Sequence, residues 1–152
     1  MNTFTQADVQ DILDQVMRDM TERYAGIQLC QHDSEPSDDI CTVYTTFEGS
    51  YHGALVLCAD TAFLIRLAQH VLQEETIEPN DLEDLVKEYF NVICGQIVAG
   101  LFRAFHVPAS FRIPVFYTGR FIPDEQDGLH GVINYTSDCN ESAQLIHQLT
   151  AA

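Results

Sequence analysis

Basic residues are scarce. The chain has seven lysines and arginines against 23 aspartates and glutamates, a formal net charge of −16 over 152 residues. The seven are scattered and form no basic stripe. A surface this acidic repels nucleic-acid phosphates and anionic lipid, which excludes DNA, RNA and membrane-surface roles and favours a partner with a positive patch. The start of the chain, Met1 to Met20, is acidic and amphipathic, without the basic segment and unbroken apolar core of a secretory signal. No stretch reads as long enough for a membrane span. These absences together point to the cytoplasm.

Other signatures are missing too. The five cysteines (Cys30, Cys41, Cys58, Cys94 and Cys139) show neither CxxC nor Cys/His ligand spacing, which argues against zinc. Cys58 and Cys94 lie in apolar runs and read as small core residues, and free thiols fit a reducing compartment. The dinucleotide fingerprint, the phosphate-binding loop and the GxSxG nucleophile turn are all absent. So are internal repeats and low-complexity tracts. His52, His70, His106, His130 and His147 share no ligand spacing and read as surface or packing residues.

What is present suffices for one folded domain over residues 1–152. Hydrophobic residues make up 46 %, enough for a core in a chain of this length and too many for disorder. Val9, Ile12, Leu13, Val16, Met17 and Met20 recur at helical spacing. That helix is capped by Thr5 and ends near Gly26. A short strand at 27–31 and an acidic loop, His32 to Asp39, precede two strands, Cys41–Phe47 and Gly53–Cys58, joined as a hairpin by 48–52. Asp60 or Thr61 caps a second helix with Leu64, Leu67, Ala68, Val71 and Leu72 on its apolar face. Pro79-Asn80 breaks the chain, and Asn80 or Asp81 opens a long helix running to about Phe105. Pro108 stops it.

Residues 110–117 read as a strand with Pro114 at an edge or bulge. A loop over 119–129 leads to strands at 131–136 and 143–149, the last of which also admits a short helix. The order predicts an α+β fold with helices packed on an antiparallel sheet.

The long helix holds the informative pattern. Asp84, Glu88, Asn91 and Gly95 are four, three and four residues apart and fall in one narrow stripe, with Leu85, Tyr89, Val92, Ile93 and Ile97 on the other side. A glycine inside a helix costs about 1 kcal/mol relative to alanine. A mid-helix asparagine competes for backbone hydrogen bonds. The outward stripe therefore gives up stability at two positions, as functional sites do.

Asp84, Glu88, Asn91 and Pro114 fill the pattern [DS]-xxx-E-xx-N-x22-P, with Gly95 four residues beyond the asparagine. In this the chain resembles the CheX/CheC/FliY family of chemotaxis phosphatases. Gly49-xxx-Gly53-Ala-Leu-Val-Leu and the order of elements resemble it as well. A single copy of the motif is most similar to CheX, and Phe90 is bulkier than the small residue usual before the asparagine.

The resemblance implies a phosphatase acting on a phosphorylated CheY-like response regulator. Asn91 would orient the attacking water and Glu88 would pair with the lysine beside the regulator's phosphorylation site. Asp84 would cap or contact the partner, Gly95 would admit it closely, and Pro114 would be structural. It implies no cofactor on this chain, Mg2+ on the regulator, and a homodimer. A non-catalytic module that binds the regulator or docks in a flagellar switch is the alternative.

Overall fold

Alternating β-branched and aromatic residues set the faces of a sheet, and three longer periodic segments cover one of them. The computed structural model describes residues 6–32, 37–121, 131–148 and 150–151. Thr5, parts of both expected loops (33–36 and 122–130) and Leu149 lie outside the described residues. The elements are α1 (Gln6–Ala25), β1 (Leu29–Gln31), β2 (Ile40–Gly49), β3 (Tyr51–Asp60), α2 (Thr61–Leu72), α3 (Pro79–Phe105), β4 (Ala109–Phe111), β5 (Val115–Thr118), β6 (Gly131–Ser137), β7 (Ser142–His147) and β8 (Thr150–Ala151). The fold is α+β, as expected.

The strands run antiparallel in the order β1-β6-β7-β3-β2. Both β4 and β5 pair with the outer edge of β2, and β8 pairs with the start of β3. In the β2–β3 hairpin, Cys41 faces Ala59 and Phe47 faces Gly53. Only Ser50 separates the two strands, so they run through most of the connection expected at 48–52. Gly49 makes this possible. Its φ is +107°, and a Cβ there would lie 3.1 Å from the Pro108 carbonyl oxygen.

The register puts Val43, Phe47, Leu55, Leu57, Ala59, Ile133, Tyr135 and Leu145 in one core with the helices. Ile40, Val56, Cys58 and Ile146 form a smaller cluster of their own, with Tyr44 and Phe121 packed against it.

Three expectations need correction. The strand at 110–117 is two strands, because Pro114 has no N–H to give the ladder. Arg112 still bonds β2 on both sides: its N–H donates to Thr46 O (3.1 Å) and its carbonyl accepts from the Thr45 hydroxyl (2.6 Å). Pro79 does not break the chain but occupies the first turn of α3, where its missing N–H costs nothing. Asp60 stands at the N-cap of α2 yet makes no capping bond. Its carboxylate instead accepts the backbone N–H groups of Ser37 (2.9 Å) and Ser142 (2.8 Å) and ties two distant segments together.

The ambiguous C-terminal segment is a strand through His147. β8 had no signal in the sequence.

The long helix has the length read from the sequence, but the reading that no stretch is long and apolar enough for a membrane span also needs correction. By length and composition α3 suffices to cross a membrane, with a mean hydropathy of 1.3 over its best window. Its apolar residues have another destination. Val86, Tyr89, Phe90, Ile93, Cys94, Ile97 and Leu101 are fully buried in the core. His106 closes the helix in a left-handed conformation, its N–H donating to Phe102 O (2.8 Å).

Buried polar bonds fix α1 against α3 and the sheet. The Thr21 hydroxyl lies 2.6 Å from both Met17 O and the Tyr89 hydroxyl. The Tyr135 hydroxyl donates to Asp14 (2.8 Å), which also pairs with Arg18 (2.8 Å).

Candidate functional site

Because one side of α3 is committed to the core, its opposite side is presented to solvent by default. Asp84, Glu88 and Asn91 are exposed there, and Gly95 is half-buried on the same stripe. Leu85, Tyr89, Ile93 and Ile97 are buried behind them, and Val92 is half-buried. Glu88 and Asn91 are one turn apart, about 4.5 Å along the axis.

Among the described residues, none hydrogen-bonds the Glu88 carboxylate or the Asn91 carboxamide. Above Gly95 the surface is open: a Cβ built there meets nothing within 4 Å. Phe90 is fully buried and points away from the stripe, so its bulk falls on the core.

A groove of about 360 Å³ runs between the end of α2 and the start of α3, lined by Leu72, Glu74, Asp81, Asp84, Leu85 and Glu88. Its carboxylates give it a negative rim suited to a cationic side chain. Asp84 lies in the second turn of a helix that begins at Pro79, too far in to cap it. Pro114 is not part of this constellation. It is buried at the break between β4 and β5.

Two neighbours of the stripe went unread in the sequence. Tyr24 of α1 stacks on Tyr89, with ring centroids 5.6 Å apart and 22° between planes. Burial, and then the charge of Glu88, push its hydroxyl above the usual tyrosine value. It therefore stays a neutral phenol beside the carboxylate. No spacing rule connects residues 24 and 88, and only the packing of α1 on α3 brings them together. Phe102 follows Asp84 by eighteen residues, five helical turns, and so shares the stripe's azimuth. It is 54 % exposed. Extending the same periodicity past Gly95 would have found it.

A carboxamide can donate and accept at once, and a carboxylate can hold a cation. Neither is a nucleophile prepared by an adjacent base. The arrangement suits positioning a water and a partner's charged group, with the stripe held by a helix that cannot easily shift. Among the described residues, no three His, Cys, Asp or Glu side chains converge as a metal site.

Residues 41–135 match the family model described as chemotaxis phosphatase CheX. No curated protein matches the sequence. Among solved structures, the chemotaxis protein CheX from Vibrio vulnificus is similar over 97 % of this chain and all of its own, with a TM-score of 0.82 at 15 % identity. The CheX of Borrelia burgdorferi, crystallised as a CheX-CheY-BeF3-Mg2+ complex, is similar over 93 % of this chain and 94 % of its own, with a TM-score of 0.68 at 16 % identity. FliY from Thermotoga maritima is similar over 99 % of this chain and 93 % of its own, with a TM-score of 0.67 at 12 % identity. At such identities the structures speak for the fold, and the family match, spanning the hairpin, both later helices and the sheet edge, speaks for the lineage: the chain belongs to the CheX family of chemotaxis phosphatases.

Proposed function

We propose that Asn91 and Glu88 are the working pair of this phosphatase and that its substrate is the aspartyl phosphate of a CheY-like response regulator. An acyl phosphate is already reactive, and its transfer passes through a loose transition state that needs positioning more than covalent help. Asn91 holds the water in line behind phosphorus, using its carboxamide as donor and acceptor. Glu88 pairs with the lysine beside the regulator's phosphorylation site and fixes the register of the two molecules. Asp84 and the negative groove beside it contact the same partner. Gly95 admits its backbone, and Pro114 is structural.

Mg2+ arrives on the regulator. The Borrelia relative was crystallised with CheY, beryllofluoride and Mg2+, which supports a CheY-like partner. The resemblance to CheX, which carries a single motif copy, implies a homodimer. The exposed free thiols of Cys30 and Cys139 fit a cytoplasmic setting.

The observation that carries the reading is an exposed carboxamide and carboxylate, one turn apart, with no hydrogen-bond partner among the described residues, on a helix whose back is the core. The test is phosphate release from a CheY-type regulator charged with acetyl phosphate. The wild-type chain accelerates the decay. Asn91→Ala reduces the acceleration at least about a hundredfold, the scale of losing a positioned transition-state contact, and still binds the beryllofluoride form. Binding without acceleration by the wild type would replace this reading with the adaptor.

A further inference from the structure

The stripe on α3 does not end at Gly95. Glu88, Gly95 and Phe102 are spaced seven residues apart, so Gly95 lies midway between a polar end and an aromatic end, about 10.5 Å from each along the axis. Between them the surface is low: Gly95 has no side chain, and Val98 and Ala99 are half-buried. Phe102 rises from the far end. More than half of it is exposed, while the residues around the buried side of the same turns, Ile97 and Leu101, are fully covered. Its ring is held edge-on to His106, centroids 5.9 Å apart and planes at 80°, and His106 is itself anchored by its bond to the Phe102 carbonyl. A large aromatic fixed in solvent at the azimuth of a binding stripe has the marks of an interface anchor.

We propose that Phe102 is a specificity-determining contact for the regulator: its ring packs on an apolar patch of the same partner whose phosphoryl site meets Glu88 and Asn91. This rests on the reading of those two residues given above. Continuity of one stripe on one rigid helix carries it, and so does size. An interface of standard area covers about 800 Å² per partner, a patch about 16 Å in radius. Centred on Gly95, the point of closest approach, such a patch includes both Glu88 and Phe102. The polar end supplies the chemistry, which every phosphorylated receiver domain shares. The aromatic end contacts surface away from the phosphoryl site, so its contribution depends on the apolar residues a given partner presents there.

The experiment measures Kd for a beryllofluoride-loaded CheY-type regulator and KM and kcat for its phosphorylated form. The proteins are the wild-type chain, Phe102→Ala, Phe102→Leu and Asn91→Ala. Covering the exposed half of a phenylalanine predicts that Phe102→Ala raises Kd and KM about five- to tenfold. Its kcat is unchanged and Phe102→Leu recovers most of the loss. Asn91→Ala shows the opposite split, with kcat falling and Kd preserved. If Phe102→Ala leaves Kd and KM at wild-type values while Asn91→Ala behaves as stated, the anchor is overturned and the phosphatase reading stands. If the wild type neither binds nor accelerates decay, the underlying reading falls and takes the anchor with it. A change of oligomeric state in Phe102→Ala by sedimentation, in place of a change in Kd, assigns the ring to a second copy of this chain and also overturns the proposal.

Discussion

Gly95→Ala separates what α3 needs to fold from what it needs to function. Gly95 sits in mid-helix and is not among the glycines with positive φ. Alanine therefore meets no backbone strain there. A Cβ at this position finds nothing within 4 Å, so it neither clashes nor fills a void. What remains is intrinsic propensity, which favours alanine by about 1 kcal/mol. For a chain of this length that raises the melting temperature by about 2–4 °C.

The same methyl occupies the space through which the partner is read to approach, so kcat/KM should fall while stability rises. Gly100 provides an internal contrast on the same helix. A Cβ there would lie 3.1 Å from Ile12 Cγ2 of α1, so Gly100→Ala requires that side chain to give by a few tenths of an ångström and gains less, or loses. Thermal scans, urea titrations and the regulator assay on both variants decide the matter. Loss of stability in Gly95→Ala would refute the open-surface argument. A stability gain with unchanged kcat/KM would refute the close-approach role.

Asp60→Ala removes the acceptor for two backbone N–H groups, that of Ser37 and the buried one of Ser142. It should cost about 2–3 kcal/mol in urea unfolding, with Asp60→Asn intermediate. Alkaline pH should unfold the protein. Burial raises the pKa of Tyr51, of Tyr89 and, with the Asp14 hydrogen bond adding to it, of Tyr135. Each phenol thus stays neutral in the fold but ionises near its ordinary value of about 10 when unfolded. The stability they contribute is fully present below that pH and is lost above it, at about 4 kcal/mol per pH unit for the three. Phenolate absorbance and loss of far-UV signal should therefore rise together, and titration of all three in a still-folded chain would contradict the burial.

The elements most legible in the sequence are those where one period dominates. In α3, Tyr89, Ile93 and Ile97 mark the core side, which is enough to place Glu88 and Asn91 opposite them. The hairpin is legible from its β-branched runs, although its turn is tighter than glycine spacing alone suggests. Asp60 was misread because an acidic residue before a helix has two outlets for its oxygens. Only the folded neighbourhood, with Ser37 and Ser142 brought within reach, decides between them. The 110–117 strand was read as continuous because its β-formers outweigh one proline in any composition window, whereas the ladder feels the missing donor at one residue. Tyr24 was invisible for a different reason: its relation to Glu88 exists only through helix packing.

The stripe lies on the back of the element that forms the centre of the core, and this limits how the chain can be controlled. A site on a loop can be switched by ordering or melting that loop. Here the proposed pair, Glu88 and Asn91, cannot be withdrawn without disturbing the buried packing of Ile93, Cys94 and Ile97. Such an enzyme is permanently armed. Its output must then be governed by how much phosphorylated target is present and by how well that target's shape engages it.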